Sequence, residues 1–259
     1  MQVAIYQVDA FASQVFSGNP AAVCPLDHWL ADEHLYAIAA ENNLSETAYF
    51  VKQGDIYELR WFTPLIEVEL CGHATLAAAW VILNKLGVNA DVLRFSTRSG
   101  ELRVRRGTSG LTLDFPAKTP EPCTPPPALL PALGLDSAEV FATDDFIVVV
   151  PDEKIVEQLT PDFARLKGLP LRGVAVTARG SGFDFVSRWF GPNVGVNEDP
   201  VTGSAHTSLM PYWSGVLDKP VLTAQQGGLR KGQLHCEMAG NRVLITGESV
   251  LYMVGEITL

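Results

Sequence analysis

The sequence has little positive charge. It carries 19 Lys and Arg residues against 29 Asp and Glu, a formal net charge of −10. Binding to nucleic-acid phosphates depends on clustered Lys and Arg, so this composition argues against a nucleic-acid partner. The acidic excess identifies no other partner, because most acidic surfaces only keep a protein in solution.

Paired cysteines, a targeting segment and a long apolar run are also lacking. The longest apolar stretch, residues 74–83, is far shorter than the roughly 20 residues that span a bilayer. The four cysteines are scattered without a CxxC pair, which argues against a metal knuckle or a disulfide framework: Cys24, Cys71, Cys123 and Cys236. We therefore expect a soluble cytoplasmic protein with reduced thiols, no membrane contact and no bound metal.

What the sequence does contain is many short strand-like segments and few helices. Apolar and polar residues alternate in segments such as 3–8, 47–51, 56–62, 102–106, 111–115, 182–190 and 243–246. One helix is predicted over residues 32–42 and a second over residues 72–86, closed by Gly87. The second helix is apolar nearly all round, which predicts a helix buried on every side inside a curled sheet.

A proline-rich segment divides the chain near its midpoint. Residues 116–131 hold seven of the 17 prolines, and proline fits neither a helix interior nor a central strand. We interpret this segment as a linker between two domains, residues 1–117 and 118–259, and this division allows the last strand to return to the first domain.

The two halves resemble each other. The first contains Arg60-Trp61-Phe62-Thr63-Pro64, then Gly72-His73-Ala74 and Trp80, and the second contains Arg188-Trp189-Phe190-Gly191-Pro192, then Gly203-Ser204-Ala205 and Trp213. The shared order predicts duplication of one helix-in-sheet unit, with a pseudo-twofold cleft between the copies.

Each repeated Gly-polar-Ala triplet opens a helix. A helix start presents unpaired backbone N–H groups and the positive end of the helix dipole, and glycine lets a ligand approach closely. Two such starts, at Gly72 and Gly203, predict an anion site that needs neither a cationic side chain nor a metal. Each glycine could instead simply begin a helix, but its duplication favours the anion site.

Carbon-acid chemistry beside such a site needs an acid or base. Glu46 stands between the first helix and a strand, where glutamate is uncommon, and a carboxyl shielded from water can exchange protons near neutral pH. The alternative is a capping or solvated glutamate. His73 could donate a hydrogen bond or relay a proton as a neutral imidazole, or be a histidine satisfied by backbone.

Three further residues flank the two helix starts. Asp199 could bind a substrate amine or orient His73, or be a loop aspartate before a proline. Ser204 could cap its helix or donate to a ligand. Cys71 lies where a helix dipole lowers a thiol pKa, but its symmetric counterpart is Thr202, so a two-thiol mechanism is disfavoured and Cys71 is interpreted as a packing residue.

Together these motifs resemble the phenazine-biosynthesis PhzF-like family in order along the chain. The matching blocks are Ser17-Gly18-Asn19-Pro20-Ala21-Ala22, Leu44-Ser45-Glu46-Thr47-Ala48, Cys71-Gly72-His73-Ala74-Thr75, Glu198-Asp199-Pro200-Val201-Thr202-Gly203-Ser204-Ala205-His206 and, slightly altered, Gln226-Gly227-Gly228-Leu229-Arg230-Lys231-Gly232. The resemblance implies an α+β, diaminopimelate-epimerase-like fold of two pseudo-symmetric helix-in-sheet domains with the active site between them.

The same resemblance implies a function and its residues. It implies a cofactor-independent isomerase or epimerase that acts on a small carboxylated substrate, and a homodimer. It assigns the catalytic roles to Glu46, His73 and Asp199, and it places Asn19, Gly72, Gly203 and Ser204 at the substrate.

Other functions remain open at this level. A non-catalytic protein that binds small carboxylates would retain the fold and the polar residues, and only turnover separates it from an isomerase. A metal hydrolase using His73, Asp199 and His206 is disfavoured because no HxH or HExxH spacing occurs. A serine hydrolase at Ser204 lacks the second glycine of a nucleophile elbow.

Overall fold

The computed structural model describes residues 1–107 and 109–259. In this part of the chain the strands are β1 (Gln2–Ala10), β2 (Asn19–Leu26), β3 (Glu46–Gln53), β4 (Ile56–Phe62), β5 (Glu67–Val68), β6 (Val92–Thr97), β7 (Gly100–Gly107), β8 (Gly110–Pro116), β9 (Glu121–Pro122), β10 (Glu139–Ala142), β11 (Phe146–Val149), β12 (Val174–Arg179), β13 (Phe185–Gly191), β14 (Val196–Asp199), β15 (Val221–Gln226), β16 (Gly232–Ala239), β17 (Arg242–Gly247) and β18 (Ser249–Thr258).

The described helices are few. They are α1 (Asp32–Asn42), α2 (Gly72–Asn84), α3 (Leu129–Ala132), α4 (Glu153–Gln158), α5 (Phe163–Leu166) and α6 (Gly203–Leu217), with a 3-10 turn at Pro192–Val194. Among the residues that the structure describes, no helix is both long enough and apolar enough to cross a bilayer.

The chain divides into two compact units. The first unit comprises Met1–Phe115 and Ile245–Leu259, and the second comprises Pro116–Leu244. The chain passes from the second unit back to the first within β17, and β18 then pairs antiparallel with β1 along its length.

The first unit is a mixed sheet around one helix. β1 is antiparallel to β2, β2 is parallel to β3, and β3 is antiparallel to β4. β4 is parallel to β6, and β6, β7 and β8 follow one another in antiparallel order. Helix α2 contacts β1, β2, β3, β7 and β18, and its residues are buried from Gly72 to Ala79. The burial predicted from its apolar sequence is confirmed.

Helix α2 ends two residues earlier than predicted, although the glycine that closes it was identified. The Lys85 N–H still bonds to Val81 O, and Val88 N–H reaches back to Ile82 O at 3.2 Å. This reversal requires a left-handed residue between them, and Gly87 supplies it with a φ of 68°.

The second unit repeats the plan with a smaller sheet around α6. β9 pairs with β10, β10 with β11, β11 runs parallel to β12, and β12 is antiparallel to β13. β13 runs parallel to β15, which pairs with β16. The ring of Trp213 in α6 stacks on Phe185 at 5.9 Å, and its N–H donates to Thr177 in β12, which fixes the helix on the sheet.

The repeated Arg-Trp-Phe motif makes the same contacts in each unit. Arg60 at the end of β4 forms two hydrogen bonds with Glu67 of β5 and lies 5.0 Å from the Phe62 ring centre. Arg188 in β13 forms two hydrogen bonds with Glu198 of β14 and lies 5.0 Å from the Phe190 ring. A shared hydrogen-bonding geometry, beyond the shared letters, supports duplication of one ancestral unit.

Two local predictions need correction. The proline-rich segment 116–131 is more than a linker, because it belongs to the second unit, forms β9 and α3, and buries Leu129 completely. A two-residue strand and a one-turn helix tolerate prolines that longer elements would not. The strand predicted from residue 182 begins at Phe185, because the residues before it form the turn that separates it from β12.

Candidate active site

Glu46 is the first residue of β3, and helix α1 ends immediately before it. Asn43 caps α1 in the left-handed conformation, with a φ of 49°, and its N–H bonds to Ala39 O. The chain turns there and enters β3, where Glu46 lies opposite Ala21 of the parallel strand β2. The Glu46 side chain is only 13% exposed, so water reaches one side of the carboxyl at most.

The start of helix α2 brings His73 against this carboxyl. His73 is the second residue of α2, its side chain is 3% exposed, and its Nε2 lies 3.2 Å from Glu46 Oε2. Burial lowers the pKa of His73 to about 3, so the imidazole is neutral at physiological pH. The contact therefore joins a neutral imidazole to a carboxyl group and is not an ion pair at neutral pH.

Cys71 is the residue that precedes α2, and its sulfur faces the other side of the same ring. Cys71 Sγ lies 3.5 Å from His73 Nδ1 and the residue is buried. A neutral imidazole has one N–H, so one ring nitrogen can donate while the other accepts. The thiol and the carboxyl thus contact opposite nitrogens of His73. The sequence interpretation treated Cys71 only as a packing residue and did not foresee this contact.

These three side chains are also the group in the described residues that could approach a single metal ion. One ligand atom each from Glu46, Cys71 and His73 lies within 4.8 Å of the others. A carboxylate, a thiolate and an imidazole suit a zinc-type ion. However, Cys71 and Glu46 contact different nitrogens of His73, so one ion could not replace both contacts without side-chain rearrangement.

Asn19 and Gly72 also lie in the first unit, where Asn19 begins β2 and Gly72 begins α2. Asn19 is the fully buried first residue of β2, and because β2 and β3 run parallel, Asn19 and Glu46 begin at the same edge of the sheet. Gly18 before it has a φ of 64° and sits so close to Ala10 O that any side chain would collide with it. Gly72 is the buried first residue of α2.

In the second unit, Asp199 ends β14 and Gly203 begins α6 four residues later. The buried Asp199 carboxylate accepts a hydrogen bond from Thr202 Oγ1 at 2.7 Å. Gln226 at the end of β15 ties this turn together: its amide oxygen accepts from Thr202 N–H, and its amide nitrogen donates to Asp199 O and Thr202 Oγ1. Gln226 opens the glycine-rich block recognised in the sequence, which gave it no role.

Ser204 is the second residue of α6, as His73 is of α2. Its hydroxyl accepts a hydrogen bond from Nη1 of Arg172 at 2.9 Å. The sequence predicted an anion site that needs no cationic side chain, and the structure adds an arginine that contacts this helix start. Arg172 was missed because nothing in its sequence neighbourhood signals the contact, which spans 32 residues of chain.

His206 lies inside the second unit, one turn beyond the start of α6. It is fully buried, its Nδ1 contacts Thr202 O at 3.0 Å, and its ring packs 5.8 Å from Phe185. Since the carbonyl can only accept, Nδ1 carries the proton. Burial lowers the pKa of His206 to about 4, with a smaller opposing effect of the Thr202 carbonyl. These contacts describe a packed structural histidine and give no support to a metal hydrolase.

The buried neutral histidines predict a stability loss on acidification. Burial lowers the pKa of His73 to about 3 and that of His206 to about 4, from 6.5. Below pH 6.5 these two histidines therefore bind protons in the unfolded chain while they stay neutral in the folded protein. The free energy of unfolding should fall as the pH drops from about 6.5 to about 4. In thermal unfolding, His206→Gln should flatten this slope, whereas His235→Gln, at an exposed position of β16, should leave it unchanged. Equal slopes in both variants would contradict the assignment.

Comparison with known proteins gives the family. The sequence model of the PhzC-PhzF family, phenazine biosynthesis-like protein, matches residues 8–255. A relative from Pseudomonas aeruginosa, named an uncharacterized isomerase, is 66% identical over 259 residues and covers the whole of both chains.

Solved structures agree with this result. A PhzF family protein from Enterococcus faecalis has a TM-score of 0.96 at 48% identity, with full coverage of both chains. A predicted epimerase of Pseudomonas aeruginosa has a TM-score of 0.77 at 21% identity over 99% of each chain, and this likeness concerns the fold alone. The predicted α+β, epimerase-like fold is confirmed. The chain is an isomerase that belongs to the family of phenazine biosynthesis-like proteins.

Proposed function

We propose that this isomerase moves a proton at carbon on a small carboxylated substrate, with Glu46 as general acid and base and without a cofactor. The observation that carries the proposal is the 3.2 Å contact between Glu46 Oε2 and the buried, neutral His73 at the start of α2. A mostly shielded carboxyl next to a neutral imidazole can accept a proton and return it without a change in the charge of the imidazole.

One tautomer of His73 suits both states of Glu46. With the ring proton on Nε2, the imidazole presents an N–H to the Glu46 carboxyl 3.2 Å away, and Nδ1 can accept from the Cys71 thiol. The abstracted proton can then be held on the other carboxyl oxygen, so no proton has to move within the ring. This arrangement supports a carboxyl that cycles between acid and base within one turnover.

The proton transfer itself balances within the substrate. Glu46 removes a proton from a carbon next to the carboxylate, the electron pair of that C–H bond moves onto the substrate as enolate-like charge, and Glu46 delivers the proton to the new carbon position or face. We propose that backbone N–H groups at Gly72-His73 and at Gly203-Ser204 stabilise this charge, since helix starts favour anions. We assign Asn19 to substrate binding beside Glu46.

Asp199 would favour an amino-acid-like substrate over a hydroxy acid. Its carboxylate is held by Thr202 and, through the backbone, by Gln226, so it is fixed in position at the turn before α6. A fixed carboxylate suits the ammonium group of an amino acid. We therefore propose Asp199 as the group that binds the substrate amine, and a hydroxy acid would forgo this contact.

Hydrogen exchange tests the function directly. The wild-type protein should be incubated with cyclic and acyclic amino acids and hydroxy acids in deuterated water, and carbon-bound deuterium measured by NMR. We expect incorporation next to a carboxylate, with loss of optical purity where that carbon is a stereocentre. Binding of these acids without deuterium incorporation in any of them would contradict the proposed chemistry.

A further inference from the structure

Arg172 is held in one orientation by partners on β13, on α6 and in the loop before β11. Its Nε and Nη2 donate to the two carboxylate oxygens of Asp145 at 3.0 and 2.5 Å, and its guanidinium lies 5.2 Å from the Trp189 ring centre. Trp189 in turn donates its indole N–H to Asp145 at 3.0 Å. The third nitrogen, Nη1, is thereby directed to Ser204 Oγ at 2.9 Å.

This contact decides how the Ser204 hydroxyl can bond. A hydroxyl has one hydrogen and two lone pairs, and a guanidinium can only donate. Ser204 must therefore accept from Arg172, and its own hydrogen must point elsewhere. Within the part of the chain that the structure describes, no acceptor is recorded for that hydrogen. Accepting a charged donor also polarises the hydroxyl and strengthens it as a donor.

We propose that Arg172 is a positioning residue: it occupies one lone pair of the Ser204 hydroxyl and directs the hydroxyl hydrogen to the substrate, so that this half of the site favours a carboxylate, the stronger acceptor, over a neutral amide. The inference rests on the proposed function, in which Ser204 binds the substrate anion. It adds the residue that sets the direction of the hydroxyl and the chemical group that the hydroxyl selects.

Arg172 keeps its charge among several carboxylates. Asp145, Asp144 and Asp199 all lie near enough to act on the guanidinium electrostatically. Burial alone lowers the pKa of Arg172, but the hydrogen bonds and charge of Asp145 outweigh it and raise the pKa, so the guanidinium stays charged.

Binding of an isosteric probe pair tests the proposal without any turnover. Dissociation constants for benzoate and benzamide should be measured by calorimetry on the wild type, Arg172→Gln, Ser204→Ala and the double variant. Arg179→Gln, an exposed arginine of the same unit, is the control. We expect the wild type and the control to bind benzoate at least about tenfold more tightly than benzamide, and each single variant to lose this preference.

Two further variants separate positioning from charge neutralisation. If Arg172 acts through Ser204, adding Ser204→Ala to Arg172→Gln should weaken benzoate binding by less than about twofold. Arg172→Gln combined with Asp145→Asn removes the carboxylate left unpaired and should not restore the preference for benzoate. Fully additive single effects, restoration in this second pair, a retained preference in Arg172→Gln, or no benzoate binding to the wild type would each overturn the proposal.

The outcome is independent of proton transfer. A wild type that binds benzoate through Arg172 and Ser204 but exchanges no carbon-bound hydrogen would sustain this inference and refute the proposed chemistry. If carbon-bound hydrogen exchange depends on Glu46 but benzoate binding shows no preference that depends on Arg172, the proposed chemistry stands and this inference is refuted.

Discussion

Glu46→Gln should reduce the incorporation of carbon-bound deuterium by about 1000-fold, the usual range for loss of a general acid or base. Glutamine keeps the size of the side chain and its reach to His73 Nε2, which lies 3.2 Å from Glu46 Oε2. An amide cannot take up and release a proton as a carboxyl does, so the chemical step is lost while substrate binding remains. Exchange rates measured by NMR at saturating substrate would show the loss.

Two matched variants sharpen this test. Glu41→Gln changes an exposed glutamate of α1, five residues earlier, and should retain wild-type exchange. Glu46→Asp keeps the carboxyl but withdraws it from His73 by one methylene, and misplacement on this scale should cost about 100-fold. Exchange that persists in Glu46→Gln would remove Glu46 from the mechanism. Equal losses in Glu46→Gln and Glu41→Gln would point to damage of the fold.

Gly227→Ala should destabilise the second unit by about 4 kcal/mol, combining backbone strain with overpacking. Gly227 has a φ of 119°, and an added Cβ would lie 1.9 Å from Arg230 O and 2.9 Å from Pro200 O. Both of these atoms belong to backbone, so no side-chain rotation relieves the collision. Urea unfolding should show the midpoint of the second unit falling sharply.

The same substitution should also disturb the start of α6. Gly227 N–H donates to Ser187 O in β13, and the neighbouring Gln226 holds the turn from Asp199 to Thr202. Gly240→Ala is the matched control, because Gly240 has a φ of 66° with nothing within 4 Å of an added Cβ. It should cost only the strain of a left-handed alanine, about 1 kcal/mol. Similar losses in both variants would contradict the steric argument.

Elements whose stability comes from local pattern were predictable. Helix α1 occupies the predicted residues 32–42, because its apolar positions share one face and Asn43 can adopt the left-handed cap. The complete burial of α2 followed from its composition alone. The proline-rich segment was misjudged because its short elements are stabilised by packing, with Leu129 buried in the second unit, and not by propensity.

In the candidate site, too, residues in local motifs were predictable and contacts between distant segments were not. Glu46 and His73 could be identified because each lies in a short sequence motif at the boundary of a predicted helix or strand. Their contact could not, since it joins the start of β3 to the start of α2. Arg172 was invisible for the same reason: Asp145 and Ser204 lie 27 and 32 residues away in sequence, and only the folded sheet brings them to one guanidinium.

By itself, the sequence determined the duplicated helix-in-sheet plan, the family and the residues at the helix starts, because periodicity, caps and ordered motifs are properties of neighbouring residues. Only the tertiary structure decided that His73 is neutral, that Cys71 faces its second nitrogen and that Ser204 has a charged partner. Those properties depend on burial and on contacts between distant segments, and desolvation or a hydrogen bond to a remote side chain leaves no periodic trace in the chain.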